Sequence, residues 1–272
     1  MKKIVLTLVF FGIFTSNWAQ NRKIIALNGA VTEIICALGF QNEIIATDVT
    51  STFPASLKVK DLGHVRSLSI EAVLALKPTM ILATSKDLSP DLIVKFKASG
   101  IKTHIFEQEF SVAGTKKLIQ EVAAILGAKN TISLESQIDK QLKLVKKIPN
   151  SPKILFVYAR GAGTLMVAGG STPIDRMITL AGAKNAVSGF SDFKPLTPEA
   201  LLTANPDFIL FFDSGLQSLG GVNGALKIDG ILKTTAGKNK NILAMDGALL
   251  SGFGPRVGEA AVQLNQLIGN DK

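Results

Sequence analysis

The chain is poor in the side chains that most enzymes work with. Of its 272 residues one is cysteine, two are histidine, one is tyrosine and one is tryptophan. A lone Cys36 excludes an internal disulfide and leaves no Cys/His spacing on which to build a zinc site. Its setting, Ile34-Ile35-Cys36-Ala37-Leu38, suits a small buried hydrophobe better than a reactive thiol. No Gly-x-Ser-x-Gly elbow, phosphate-binding loop or His-Glu-x-x-His occurs, which argues against a hydrolase. Gly161-Ala162-Gly163 and Gly252-Phe253-Gly254 lack the rest of a dinucleotide fingerprint. Aromatics make up 6%, with no run of several interleaved with basic residues, and the lysines behind the net charge of +9 are scattered. That pattern excludes a stacking platform for nucleic acid.

What is present begins with Met1-Lys2-Lys3, an apolar run from Ile4 to Phe14, and Thr15-Ser16-Asn17-Trp18-Ala19. A basic start, a short apolar stretch and a small residue make a secretory signal peptide, residues 1–19, cut after Ala19. The run is shorter than the ~20 residues of a membrane span. No cysteine sits near the cut, so no lipid anchor is expected there, and the mature chain carries +7. A soluble exported protein is expected.

Beyond the cut, strand-like apolar runs alternate with amphipathic helical stretches. Lys23–Leu27, Glu43–Thr47, Met80–Ala83 and Lys102–Phe106 read as strands, and Thr32–Leu38, Pro90–Ser99 and Ser111–Leu126 as helices. This alternation predicts parallel sheets with helices on their faces. Asn130 to Lys147 predicts one polar helix with Leu134, Ile138, Leu142 and Val145 along a stripe; about 18 residues would span roughly 27 Å. Strand and helix signals then resume with Lys153–Tyr158, Pro173–Ala181, Gly224–Thr234, Asn241–Met245 and Arg256–Ile268. The predicted class is α/β: two Rossmann-like lobes, 20–128 and 150–272, joined by a long rigid helix at 129–149, with a ligand cleft between them.

One unit occurs twice. In Ser69-Ile70-Glu71-Ala72-Val73-Leu74 and Thr197-Pro198-Glu199-Ala200-Leu201-Leu202 a glutamate opens a short helix, a proline closes it (Pro78, Pro206) and an apolar strand follows. Each glutamate either complements its helix dipole or serves as one of two matched anionic knobs for a two-fold partner. Candidates for the cleft are His64 and Arg66 in a Gly63-led loop of the first lobe, and Tyr158, Arg160 and Met166 in the second, with Phe253 and Arg256 on a later loop that could close over it. The set suits a flat, apolar, metal-bearing dianion: imidazole or phenolate for the metal, guanidinium for carboxylates, Phe or Met for the apolar face. His64 remains open between ligand and surface residue, and Tyr158 between ligand and packing residue; His104 alternates within a strand and reads as structural.

The words Val31-Thr32-Glu33-Ile34, Asp61-Leu62-Gly63-His64-Val65-Arg66-Ser67-Leu68, Leu74-Ala75-Leu76-Lys77-Pro78-Thr79-Met80, Ile154–Val157, Phe190–Leu196 and Gly252-Phe253-Gly254 together resemble periplasmic haemin-binding proteins of ABC importers, the HmuT/ShuT type. That class is shared with vitamin B12 and ferric-siderophore binders. The resemblance implies haem as transported ligand, no catalytic cofactor, a periplasmic location and a membrane permease dimer as partner. It places His64 where those proteins have a tyrosine iron ligand and Arg66 on an arginine that meets a propionate. A second-lobe histidine of some relatives appears here as Arg160, leaving Tyr158 or Met166 as a second ligand. Glu71 and Glu199 fall on the glutamates that dock each lobe onto the permease. A corrinoid or siderophore binder is the alternative within the class, and an exported α/β enzyme using Arg160 and Asp192 on an anionic substrate is the alternative outside it.

Overall fold

A computed structural model describes residues 22–269, apart from Thr164; the signal segment lies outside the described residues. The first lobe runs β1 (Ile24–Leu27), α1 (Gly29–Ala37), β2 (Ile44–Thr47), β3 (Lys60–Asp61), α2 (Ile70–Leu74), β4 (Met80–Thr84), α3 (Pro90–Ala98), β5 (Lys102–Phe106) and α4 (Val112–Leu126). Its five strands are all parallel, in the order β3-β2-β1-β4-β5. Both central strands are buried throughout, as expected of a sheet covered by helices on each face. Caps set the helix starts: side chains of Asn28, Ser69, Ser89 and Ser111 each accept from a first-turn backbone N–H.

After α5 (Ile132–Leu142) the second lobe runs β6 (Lys153–Ala159), β7 (Leu165–Ala168), α6 (Pro173–Leu180), β8 (Lys184–Asn185), β9 (Phe193–Pro195), α7 (Pro198–Ala204), β10 (Phe208–Phe212), α8 (Asp213–Ser218), α9 (Val222–Ala225), α10 (Thr235–Asn239), β11 (Ile242–Met245), α11 (Gly247–Ser251) and α12 (Val257–Gly269). Its six strands run β11-β10-β6-β7-β9 with β8 also on β6; as in the first lobe, the strand after the repeated helix (β4, β10) lies parallel beside the lobe's first strand (β1, β6), with the last strand (β5, β11) outside it. The match reaches the backbone. Lys77 and Asn205, each just before the proline that follows α2 and α7, both have positive φ, 48° and 36°.

Three expectations need correction. The second sheet is mixed, because β6 turns back into antiparallel β7 through a connection too short to hold a crossover helix. The stretch 224–234 is not one helix: α9 ends at Ala225 and only a single 3₁₀ turn follows at Ile231–Lys233. The helix between the lobes covers eleven residues rather than eighteen. Asn265 of α12 ends it by competing for the backbone: its Oδ1 accepts from the Lys146 N–H at 3.0 Å and its Nδ2 donates to the Lys146 carbonyl at 2.7 Å. The short helix lies on α12, where Gly258 permits close approach; a Cβ there would sit 2.8 Å from Gln141 Cβ.

One hydrophobic cluster runs through both lobes, from Ile24, Ile34 and Leu118 to Phe156, Leu250 and Phe253. The lobes therefore share a core rather than meeting at a flexible linker. Cys36 sits half-buried beside it, and burial pushes its thiol up to about 11, which leaves it protonated and unreactive.

Candidate functional site

Parallel strands deliver their carboxyl ends, and the loops that follow, to one edge of the sheet. In the first lobe that edge carries the 62–67 loop. Gly63 takes φ 77°, a left-handed conformation that suits glycine, and turns the chain so that its N–H donates to Asp61 Oδ1 at 2.7 Å while its carbonyl accepts from Val49 at 3.0 Å. Val65 is buried and anchors a 3₁₀ turn, and the His64 carbonyl accepts from both the backbone N–H and the hydroxyl of Ser67. Four hydrogen bonds thus hold the Gly63–His64 backbone, two at each residue, while the His64 imidazole and the Arg66 guanidinium are exposed. Among the described residues neither side chain has a hydrogen-bond partner. A fixed backbone presenting an unspent ring nitrogen and an unspent guanidinium is what a ligand with both a metal and a carboxylate would use.

The matching edge of the second lobe brings Tyr158, Arg160 and Met166 together. Tyr158 and Met166 are register partners across the β6–β7 ladder. The Arg160 guanidinium lies 5.6 Å from the Tyr158 ring centroid. Phe193 and Phe212 meet the same ring edge-on at 6.5 and 6.1 Å, so Tyr158 is half-buried in an aromatic patch. Its packing role is evident, and its hydroxyl end is not consumed by a hydrogen bond among the described residues.

Phe253 and Arg256 do not close over the cleft. Phe253 is 1% exposed, its ring 5.6 Å from that of Phe110 and its carbonyl accepting from Thr115 at 2.9 Å. The chain turns inward there, with φ 48° at Phe253, and drives the ring into the shared core. Arg256 is spent on Glu33, and its guanidinium carbon lies 3.8 Å from the Phe53 ring centroid. Both residues belong to the seam between the lobes, together with Gln108, whose amide donates to the Gly252 carbonyl at 2.9 Å.

Sequence reading also passed over the floor of the cleft. Asn28 caps α1 and its amide donates to Asp87 Oδ2 at 2.8 Å; Thr84 donates to the same carboxylate. Asp48 accepts from the Thr50 and Ser51 hydroxyls at 2.6 and 2.8 Å, and burial raises its carboxyl above the ordinary range despite those bonds. Asn28, Glu33, Thr50, Asp87 and Gln108 line a cavity of about 210 Å³ with Pro173 and Ser251 of the second lobe. That is below the usual size of a ligand pocket, so it is a floor rather than the site. Val49 and Phe53, 44% and 42% exposed on the loop after β2, add apolar surface at the same edge; the only signal for them was Val and Phe standing in a polar loop.

A family model described as "Periplasmic binding protein" matches residues 24–249. The chain belongs to that family. Among solved structures it is similar to RhuT, a periplasmic heme-binding protein from Roseiflexus sp. RS-1 in apo form: 36% identity, 92% of this chain and 98% of that one covered, TM-score 0.88. BhuT, a periplasmic heme-binding protein solved in complex with two hemes, is 31% identical with a TM-score of 0.86 over 92% of this chain and 98% of its own. The uncharacterized ABC transporter substrate-binding lipoprotein YvrC of Bacillus subtilis (strain 168) is 27% identical over 263 residues, 93% of this chain and 81% of the relative. These relatives are binding and transport proteins. Among the described residues no helix is long and apolar enough to cross a membrane, and no cluster of three His, Cys, Asp or Glu side chains could hold a bare metal ion.

Proposed function

We propose that this chain is an exported, soluble periplasmic protein that captures haem between its lobes and hands it to an ABC permease dimer. His64 ligates the iron. Arg66 and Arg160 pair with the propionates, Tyr158 or Met166 stands as second ligand or apolar cover, and Glu71 and Glu199 dock the two lobes. The lobes span 20–128 and 150–272, with the segment between them bridging. The observation that carries this reading is the His64–Arg66 loop, which holds a rigid backbone under two unengaged side chains at the carboxyl edge of the sheet. The likeness to heme-binding proteins over nine-tenths of the chain supports it. A neutral imidazole in place of an anionic phenolate favours ferric iron less strongly, so the reduced complex should be more accessible here than in a tyrosine-ligated binder.

The test is a visible-absorption titration of the mature protein with haemin, run beside His64→Ala. A saturable Soret shift that changes or vanishes in the variant supports both haem and the ligand. A shift untouched by the substitution keeps haem and moves the ligand to Tyr158. No shift in the wild type sinks the haem reading.

A further inference from the structure

The two copies of the repeated unit agree in more than sequence. α2 and α7 hold equivalent places, each linking the outermost strand of its sheet (β3, β9) to the strand beside the centre (β4, β10). Glu71 and Glu199 are both exposed. Two residues on, Val73 and Leu201 are 0% and 1% exposed and fasten each helix to its lobe. Three residues on, Leu74 and Leu202 are 40% and 41% exposed. Residues at i and i+3 share a helix face, so each glutamate stands beside an exposed leucine. The neighbouring element of each lobe adds another large apolar side chain: Val94 of α3 at 64% and Leu232 of the 3₁₀ turn before α10 at 59%. Four of the nine exposed large hydrophobics among the described residues thus lie on these two helices and the elements packed against them.

An exposed ion pair contributes little affinity, because water screens it and two flexible side chains must be held in place. A glutamate alone can steer and orient a partner, but holding one requires apolar surface. We infer that Leu74 with Val94, and Leu202 with Leu232, are the apolar anchors of a duplicated docking epitope, each set around its glutamate. The occupant is the permease dimer of the proposed function, on which this inference rests; each half of it would present a basic side chain ringed by apolar ones. Duplication at equivalent positions demands a partner with two equal sites, which a two-fold membrane dimer supplies. The carboxylates demand that the centre of each site be cationic.

Photoreactive p-benzoylphenylalanine placed at position 74, 202 or, as a control, exposed position 132 of the full chain in cells of the source organism tests the assignment. Adducts from 74 and 202 to the same integral membrane permease polypeptide, and none from 132, are expected. Adducts from one lobe only, to a second copy of this chain, to unrelated proteins, or to nothing overturn it. With that polypeptide's transporter in lipid nanodiscs, Leu74→Ser and Leu202→Ser should each weaken docking about tenfold and together about a hundredfold. Their haemin titrations should match the wild type. Wild-type docking by the double variant overturns the epitope. A wild type that docks but does not bind haemin overturns the haem reading and leaves the epitope standing.

Discussion

Arg256 reaches across 223 residues of sequence to hold Glu33: its Nε donates to one carboxylate oxygen at 3.0 Å and its Nη2 to the other at 2.5 Å. The pair is largely buried, with side chains 17% and 8% exposed, and it ties α1 of the first lobe to the start of α12 of the second. A bidentate fork of this kind fixes angle as well as distance. With the Gln108–Gly252 and Thr115–Phe253 bonds it closes the seam below the cleft, so lobe closure on a ligand should be small.

Removing one partner of that pair strands the other. Arg256→Met leaves the Glu33 carboxylate buried without its cation and should cost about 3–5 kcal/mol of unfolding free energy, whereas Glu33→Leu combined with Arg256→Met should recover most of it. Urea denaturation of the three proteins checks this. Equal losses for the single and double variants would show that the guanidinium's contact with the Phe53 ring dominates.

Arg66 and Arg160 are both exposed, so their contributions to anion binding should be modest and screened. Arg66→Ala is expected to weaken haemin binding about tenfold at low salt, with the gap from wild type narrowing by 0.5 M NaCl. Arg160→Ala should do less, since this guanidinium also rests on Tyr158. Titrations at two ionic strengths separate the effects; a gap independent of salt would mean that Arg66 holds the loop rather than the ligand.

His104 makes stability depend on pH. It lies in β5 opposite Leu82, and burial, with repulsion from Lys102, pulls its imidazole below the ordinary value of 6.5. Between the lowered and the ordinary value the unfolded chain binds the extra proton, so stability falls as pH drops through about 6.5 and levels off below the folded-state value. His104→Gln should flatten that part of the profile. Thermal melts at pH 7.5 and 5.5 would show a smaller Tm difference in the variant; an unchanged difference would assign the effect to other groups.

Phe253 is a packing residue, and its substitution should be read in stability rather than in binding. Phe253→Ala opens a cavity against Phe110 and should cost about 3–5 kcal/mol, with Phe253→Leu milder. Haemin titration of the leucine variant should be unchanged. A perturbed Soret band in a protein of near-wild-type stability would return Phe253 to the cleft.

The parts of the chain legible in advance are those governed by neighbours in sequence. The cap at Ser69, the proline stops after α2 and α7, the αL glycine closing α4, and the all-buried runs of β1 and β4 depend on hydrogen bonds and dihedrals within a few residues. The repeat of Glu71 at Glu199 was visible for the same reason, and so was the His64–Arg66 loop, since Gly63 marks its turn. The early end of the bridging helix was not legible, because Asn265 comes from 119 residues away to take the Lys146 backbone. Nor was the fate of Arg256 and Phe253. A guanidinium beside Gly252-Phe253-Gly254 looks free for an anion until the fold brings Glu33 to it, and Phe253 looks like a cover until a positive φ turns its ring inward.

The sequence by itself determined the alternation of elements, the duplication and the identity of the side chains offered at each sheet edge, because those follow from periodicity and local backbone chemistry. The tertiary structure alone decided which of those side chains stay free. That choice depends on long-range partners competing for the same donors and acceptors, and no local pattern records the competition.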